Sequence, residues 1–265
     1  MKLADSHIHL FRNGYPGRYG SLFPKGGEVA VYEAIRQVHG IGRALVVGFE
    51  GEPWSRRNNR YLATLAPSHS WMAPLAFCPA SRAPRRETLL SWWRLGFVGI
   101  SIYVSNLYEA EMIAGWPADI VKTLNDRRAI ISMNCPSEQG EKLRCFFERL
   151  GNTRILLSHL GLPGTMRSAP KMLKPVLGLA TIPHVGVKLS GGYACNDFPH
   201  DGLRALVGDL LQSYGGSRLY WGSDFSPALD CVTFAQTIEP FRGIPEEIFS
   251  RNLQTAISRV PQGVS

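Results

Sequence analysis

Residues 3–9 read Leu3-Ala4-Asp5-Ser6-His7-Ile8-His9, a short strand-like run that carries two histidines separated by one residue. Side chains two positions apart lie on the same face of a β-strand, so both imidazoles are expected to point to one side of a sheet. Neutral imidazole is a good ligand for zinc. The run therefore predicts a first strand that carries part of a functional site.

Seven further short apolar runs follow this strand, and most of them are separated by helical patterns. Such alternation predicts βα units and a parallel sheet. The predicted strands are 3–9, 44–47, 72–77, 97–103, 129–134, 154–159, 185–190 and 218–224. Eight strands are the number that closes a (β/α)8 TIM barrel, and a chain of 265 residues has the usual length of one. We predict an α/β fold, a single TIM-barrel domain over residues 1–265.

Apolar residues at helical spacing predict the intervening helices. These are 29–38, 59–65, 86–95, 120–127, 138–150, 203–214 and 246–259. The main rival fold is an open, doubly wound sheet, which usually has a glycine-rich phosphate loop after its first strand. Residues 10–14 read Leu-Phe-Arg-Asn-Gly, which is not such a loop, so the barrel is favoured.

Composition limits the classes of partner. The formal net charge is +8, which suits an anionic small-molecule substrate, but no dense run of basic residues predicts nucleic-acid binding. No apolar run has the length of a membrane span, and the first residues do not resemble a signal peptide. Five widely spaced cysteines predict reduced thiols rather than a disulfide framework. We expect a cytoplasmic protein, and whether it forms a homo-oligomer is left open.

Candidate site residues lie at the ends of the predicted strands, where TIM barrels place their catalytic groups. His159 ends the sixth strand and Asp224 ends the eighth, so we expect them to join His7 and His9 in a cluster that can hold a divalent metal such as zinc. A buried, hydrogen-bonded histidine is the alternative for any one of them. The candidate substrate-binding residues are Tyr103, Asn134, Lys188 and Ser190 at strand ends, and Arg56 in the loop after the second strand. Lys188 could equally point outward between strand and helix, and a solvated helix start is the alternative for Arg56.

Several of these segments, in chain order, resemble signatures of the amidohydrolase-related (amidohydrolase 2) family. They are residues 5–10, 96–100, 157–161, 188–191 and 221–226, followed by Asn252 and Ala256 in the last helix. The resemblance implies a distorted TIM barrel. It also implies one of two activities: a lactonase acting on sugar lactones or 2-pyrone-4,6-dicarboxylate, or a metal-dependent decarboxylase of aromatic acids.

The chain departs from the family pattern at two positions. Metal-dependent members usually have a histidine near the end of the fifth strand, where this chain has Asn134. The pyrone-dicarboxylate lactonases, which this chain resembles, keep the other site residues and work without a bound metal. The fourth strand often carries an arginine that binds a substrate carboxylate, and Ser101 stands in its place.

The leading hypothesis is hydrolysis of a lactone or a similar cyclic ester of a small anionic substrate. Asp224 would activate water as a general base, and His7, His9 and His159 would polarise the carbonyl directly or through a metal. A metal-dependent decarboxylase and a barrel that binds a small molecule without catalysis are the alternatives.

Overall fold

The computed structural model describes residues 2–17 and 23–261. Eight parallel strands are hydrogen-bonded in chain order. They are β1 (Leu3–Ile8), β2 (Ile41–Val47), β3 (Met72–Phe77), β4 (Gly99–Tyr103), β5 (Ile130–Asn134), β6 (Arg154–Leu157), β7 (Val185–Leu189) and β8 (Leu219–Trp221). A bridge between Ile8 and Phe225 joins the first strand to the segment after the last. The sheet is thus a nearly closed barrel, and the predicted TIM-barrel fold is confirmed.

Helices surround the barrel between its strands. They are α1 (Gly27–Val38), α2 (Asn58–Leu65), α3 (Arg86–Arg94), α4 (Leu107–Ala114), α5 (Ala118–Arg127), α6 (Ser137–Lys142), α7 (Arg144–Glu148), α8 (Ala169–Gly178), α9 (Leu203–Tyr214) and α10 (Arg251–Ser258). None of the described helices is both long and apolar enough to cross a membrane.

The helix predictions were partly wrong. Residues 138–150 form two helices that meet at Leu143, and their apolar spacing hid the break because Leu143, Phe146 and Leu150 are all buried. Residues 246–259 begin with a 3₁₀ turn, Glu246–Phe249, before α10. Helices α4 and α8 were not predicted. Pro175 lies inside α8, and an internal proline argues against a helix.

Helix α10 covers the amino-terminal end of the barrel. Leu253, Ala256 and Ile257 of this helix pack with inward-facing strand residues such as Leu45 and Leu156. This apolar plug fills one end of the barrel. The polar strand ends predicted to hold the site lie at the opposite end.

Two predicted strands end two or three residues earlier than expected, and the difference determines where two functional residues lie. Strand β6 ends at Leu157 and β8 at Trp221, so His159 and Asp224 lie in the turns that follow. Both residues have positive φ, 51° for His159 and 59° for Asp224, a conformation that ends an extended strand. The chain therefore changes direction at these two side chains.

Candidate active site

Three buried groups, His7, His9 and Asp224, converge at the carboxyl end of the barrel. The Nε2 atoms of His7 and His9 are 3.1 Å apart, and Oδ1 of Asp224 lies 3.6 and 3.7 Å from them. In the plane of the three atoms, the point equidistant from them lies about 2.0 Å from each, the distance at which zinc binds imidazole and carboxylate ligands. The predicted metal residues His7, His9 and Asp224 therefore fit a divalent cation.

The electronic state of the histidines suits a metal as well. Nδ1 of His9 donates to the carbonyl of Val47 at 2.8 Å, which leaves the Nε2 lone pair free. Burial, together with the charge of Lys188 and neighbouring imidazoles, lowers the pKa of His7 well below its ordinary value. Burial also lowers the pKa of His9 to about 4, although Asp224 opposes the shift. Both rings are thus neutral near pH 7, as ligands must be.

The second oxygen of Asp224 faces different groups. The hydroxyl of Tyr193 donates to Oδ2, and Nδ1 of His159 lies 3.8 Å from the same atom. Burial raises the pKa of Asp224 to about 6, while His9, the hydrogen bond from Tyr193 and Lys188 act in the opposite direction. A carboxylate with this pKa is ionised at neutral pH and is a suitable general base.

His159 contacts the cluster without joining its three converging atoms. Its ring lies 4.6 Å from that of His7, centroid to centroid, and Nδ1 is 3.1 Å from the hydroxyl of Ser190. Burial and the charge of Lys188 lower its pKa to about 3. The φ of Gly191 is +65°, and a Cβ there would lie 2.6 Å from Nδ1 of His159, so only glycine leaves room for this ring.

Lys188 points into the barrel and is fully buried. Its Nζ donates to the hydroxyl of Ser132 at 2.6 Å and lies 3.2 Å from Nδ1 of His7. Burial lowers its pKa to about 7, although Asp224 and Asp5 raise it. If His7 held a metal through Nε2, its Nδ1–H would be able to donate a hydrogen bond to the neutral amine of Lys188. Lys188 was predicted to bind substrate, and in the structure its amine lies beside His7 of the metal-competent trio.

Asp5 holds the segment that carries the site. Its carboxylate accepts from the backbone N–H of Ser223 at 2.8 Å, the hydroxyl of Ser223 at 2.6 Å and the hydroxyl of Tyr32 at 3.1 Å. Burial raises its pKa to about 6, against these hydrogen bonds. Asp5 therefore ties β1 to the turn before Asp224 and to helix α1.

The remaining substrate candidates lie in different surroundings. Tyr103 ends β4 and packs against Phe49, and Asn134 ends β5 beside it in register and is partly exposed. Arg56 is exposed in the turn before α2, and Ser190 contacts His159. Ser101, at the position of the family arginine, donates to the carbonyl of Gly48. A role in substrate binding stays a prediction for Tyr103, Asn134, Lys188, Ser190 and Arg56.

Two site residues were missed by sequence reasoning. Ser132 lies two positions before Asn134 in β5, so the period of a strand would have placed it on the same inner face. Tyr193 lies in a 3₁₀ turn after β7, in the order Ser190-Gly191-Gly192-Tyr193. No strand pattern points to it, since a turn residue reaches Asp224 only through the fold.

A set of aromatic side chains borders the cluster on the side of β1 to β4, and we call it the aromatic wall. The ring of Phe11 stacks on that of His9 at 5.6 Å and meets Trp54 edge-on at 4.8 Å. Phe49 lies 4.8 Å from Tyr103. The members are Phe11, Tyr15, Phe49, Trp54, Phe77 and Tyr103. Aromatic rings packed at mixed angles therefore border the metal-competent groups.

The sequence matches a family model. The Amidohydro_2 model, described as amidohydrolase, matches residues 4–237 and so includes every residue of the cluster. This chain belongs to the amidohydrolase family Amidohydro_2. The family resemblance of the sequence segments is thereby confirmed. No curated protein matches the sequence.

Solved structures share the fold of this amidohydrolase at low sequence identity. An amidohydrolase from Burkholderia multivorans with bound zinc has a TM-score of 0.80 and 18% identity, over 98% of this chain and 100% of that chain. A "probable 2-pyrone-4,6-dicarboxylic acid hydrolase" from Acinetobacter baumannii with citric acid bound has a TM-score of 0.79 and 15% identity, over 97% and 100%. A 2,6-dihydroxybenzoate decarboxylase from Rhizobium has a TM-score of 0.66 and 13% identity, over 97% and 99%. At these identities the likeness shows the fold alone.

Proposed function

We propose that this amidohydrolase opens a lactone or a similar cyclic ester of a small, planar, anionic substrate. The observation that carries the proposal is the division of the Asp224 carboxylate. Oδ1 faces the histidine pair, and Oδ2 faces Tyr193 and His159. This division supports a metal held by one oxygen and a proton taken up by the other.

The residues of the chain can move the proton that hydrolysis requires. Asp224 takes a proton from the attacking water, whose oxygen forms a bond to the carbonyl carbon. The ester C–O bond then breaks, and Asp224 returns the proton to the departing alkoxide, so that a hydroxy acid is released. Tyr193 holds the carboxylate in place through its hydrogen bond.

His7, His9 and Asp224 would hold the metal, which when bound polarises the carbonyl and makes water more acidic. Zinc in the Burkholderia multivorans structure supports the choice of ion. His159 is neutral and lies beside both His7 and Asp224, where it can orient a substrate oxygen by a hydrogen bond. His159 is therefore the second catalytic residue of the proposed reaction.

The aromatic wall supports a planar substrate. Aromatic rings pack on other flat, apolar rings in offset-stacked or edge-to-face arrangements, and Phe11 stacks on His9 while its other contact is with Trp54. The net charge of +8 supports an anionic one, as does citric acid bound to the related Acinetobacter baumannii structure. A pyrone-like lactone carrying carboxylates satisfies both conditions.

Decarboxylation of an aromatic acid is the second candidate. The metal-competent trio and the aromatic wall would serve it equally well, and a decarboxylase is among the related structures. The two reactions differ in their products, since hydrolysis consumes water and yields a hydroxy acid, whereas decarboxylation releases carbon dioxide.

The test is a substrate panel assayed with zinc-loaded protein. It contains 2-pyrone-4,6-dicarboxylate, a set of sugar lactones and 2,6-dihydroxybenzoate, and each reaction is followed by acid release and by carbon dioxide release. We expect acid release from a planar lactone with no carbon dioxide. Carbon dioxide from the aromatic acid, with no lactone opened, would contradict the proposal and favour the decarboxylase.

A further inference from the structure

The amino-terminal end of the barrel, opposite the catalytic cluster, contains a recess of about 600 Å³. It lies between the residues that start β6 and β8 and one face of α10. A second space of about 260 Å³ adjoins it at Arg154 and Arg259. None of the catalytic residues lines either space.

Four arginines line this recess. Arg251 begins α10, Thr255 lies midway along it, and Arg259 directly follows its last residue, so the spacing of four places all three on one face. Arg154 and Arg218 stand opposite, at the starts of β6 and β8. Over residues 2–17 and 23–261, no carboxylate pairs with any of these four guanidinium groups. Like charges held together in this way repel each other, and a bound anion would offset the repulsion.

The four guanidinium groups differ in how many donors they keep free. Arg218 donates to backbone carbonyls including those of Tyr214, Ala180 and Ile182, so it supplies mainly charge. Arg154 makes one hydrogen bond, to the carbonyl of Pro183 at 3.3 Å. For Arg251 and Arg259, the described part of the chain provides no hydrogen-bond acceptor. Three of the four can therefore donate to a ligand.

Tyr220 adds a hydroxyl group to the lining of the recess. Tyr220 lines the recess and is 2% exposed, yet its hydroxyl makes no hydrogen bond to any described residue. Gly186 accommodates its ring, since a Cβ at that position would lie 2.8 Å from a ring carbon. Burial raises the pKa of Tyr220, while the nearby charges of Arg154, Arg259 and Arg218 lower it. Because Tyr220 lines the recess, its hydroxyl can donate a hydrogen bond to a ligand oxygen there.

We propose that this recess, named here the arginine recess, binds a small polyanion that carries phosphate or clustered carboxylate groups. Guanidinium groups bind both kinds of oxyanion through paired hydrogen bonds. The volume lies within the range of small-molecule pockets, and the charges line a recess rather than a long surface stripe. A small anion therefore suits the site better than a nucleic acid does.

The experiment is calorimetric titration of the whole protein with inorganic pyrophosphate and, separately, with citrate. The variant Arg154→Gln/Arg259→Gln removes two recess charges. The control Arg82→Gln/Arg85→Gln removes two charges from another surface cavity, near Cys78. Should the first pair fail to fold, Arg259→Gln alone, on the exposed side of α10, replaces it.

We expect saturable binding of at least one anion, with Kd raised about tenfold or more by the recess variant and by less than about twofold in the control. Stronger binding of pyrophosphate would assign a phosphate ligand, and stronger binding of citrate a carboxylate one. Absence of saturable binding, or an equal loss in both variants, would overturn the proposal. So would a duplex oligonucleotide that binds through the same arginines while both small anions fail.

Discussion

The hydroxyl of Tyr193 donates a hydrogen bond to Oδ2 of Asp224, on the opposite side of that carboxylate from the histidine pair. Tyr193 is half-buried in a turn after β7, whereas Asp224 follows β8. The contact therefore fixes the orientation of the carboxylate from a neighbouring strand.

Replacing this tyrosine is expected to weaken catalysis. Tyr193→Phe removes the donor that orients Asp224, and loss of such an outer partner typically costs 10- to 100-fold in activity. We expect the loss in kcat rather than in KM, with the melting temperature little changed. Tyr108→Phe, at a tyrosine that is 63% exposed, is the matched control. A Tyr193→Phe enzyme with the kcat of the wild type would show that the contact has no positioning role.

Metal content should depend on the histidine pair. Loss of a residue that is hydrogen-bonded to a metal ligand typically lowers metal affinity by roughly 10- to 100-fold. His9→Ala removes a ligand of the proposed site itself, so we expect zinc affinity to fall by at least this much. Elemental analysis after dialysis against a zinc buffer measures this directly. His69→Ala is the control, because that ring lies in a turn and contacts the carbonyl of Leu65. Equal zinc in the two variants would rule out the trio as the metal site.

The cysteines should differ sharply in reactivity. Burial raises the pKa of Cys78 and of Cys135 to about 12, although Arg82 opposes the shift at Cys78. Cys145 and Cys231 are exposed. Because the thiolate is the reactive form, iodoacetamide near pH 8 should label the exposed pair first in the native protein and the buried pair only on unfolding. Peptide mapping identifies which cysteines are alkylated first. Early labelling of Cys78 would contradict its buried position.

Glu28 should give stability a specific dependence on pH. Burial raises its pKa, against hydrogen bonds from the backbone of Phe11, the hydroxyl of Ser226 and the backbone of Tyr15. The folded state then binds the proton more tightly than the unfolded state does. The contribution of Glu28 is complete below its unfolded pKa and is lost as the pH rises through its folded pKa.

Denaturant unfolding of the wild type and of Glu28→Gln, compared from about pH 4 to 7, isolates this term because glutamine does not titrate. The free energy of unfolding of the wild type should fall relative to the variant as the pH rises. The opposite slope would mean that the folded protein lowers the pKa of Glu28.

Much of the fold could be predicted because the two-residue period of a strand, and the alternation of strands with helices along the chain, are local properties of the sequence. Eight runs predicted eight strands, and His7 and His9 lie on the inner face as the two-residue period required. The turns could not be read in this way. The hydrogen bond between Tyr193 and Asp224 joins residues 31 positions apart, and it exists only once β7 and β8 are neighbours.

Lys188 illustrates the same limit within a strand. Its position in β7 left two orientations open, inward or toward the helices. In the structure the side chain of Lys188 points inward, where its Nζ contacts Ser132 and His7. These contacts join Lys188 to residues that are distant in sequence, so no local sequence pattern predicts them.

The most direct test of the proposed chemistry is the turnover of a planar lactone by Asp224→Asn. Asparagine keeps the size of the side chain but cannot take a proton from water. We expect kcat/KM to fall by 10²–10⁴-fold, the usual contribution of a general base, with circular dichroism and melting temperature close to those of the wild type. A folded Asp224→Asn protein that hydrolyses the lactone at the rate of the wild type would contradict the central role of Asp224.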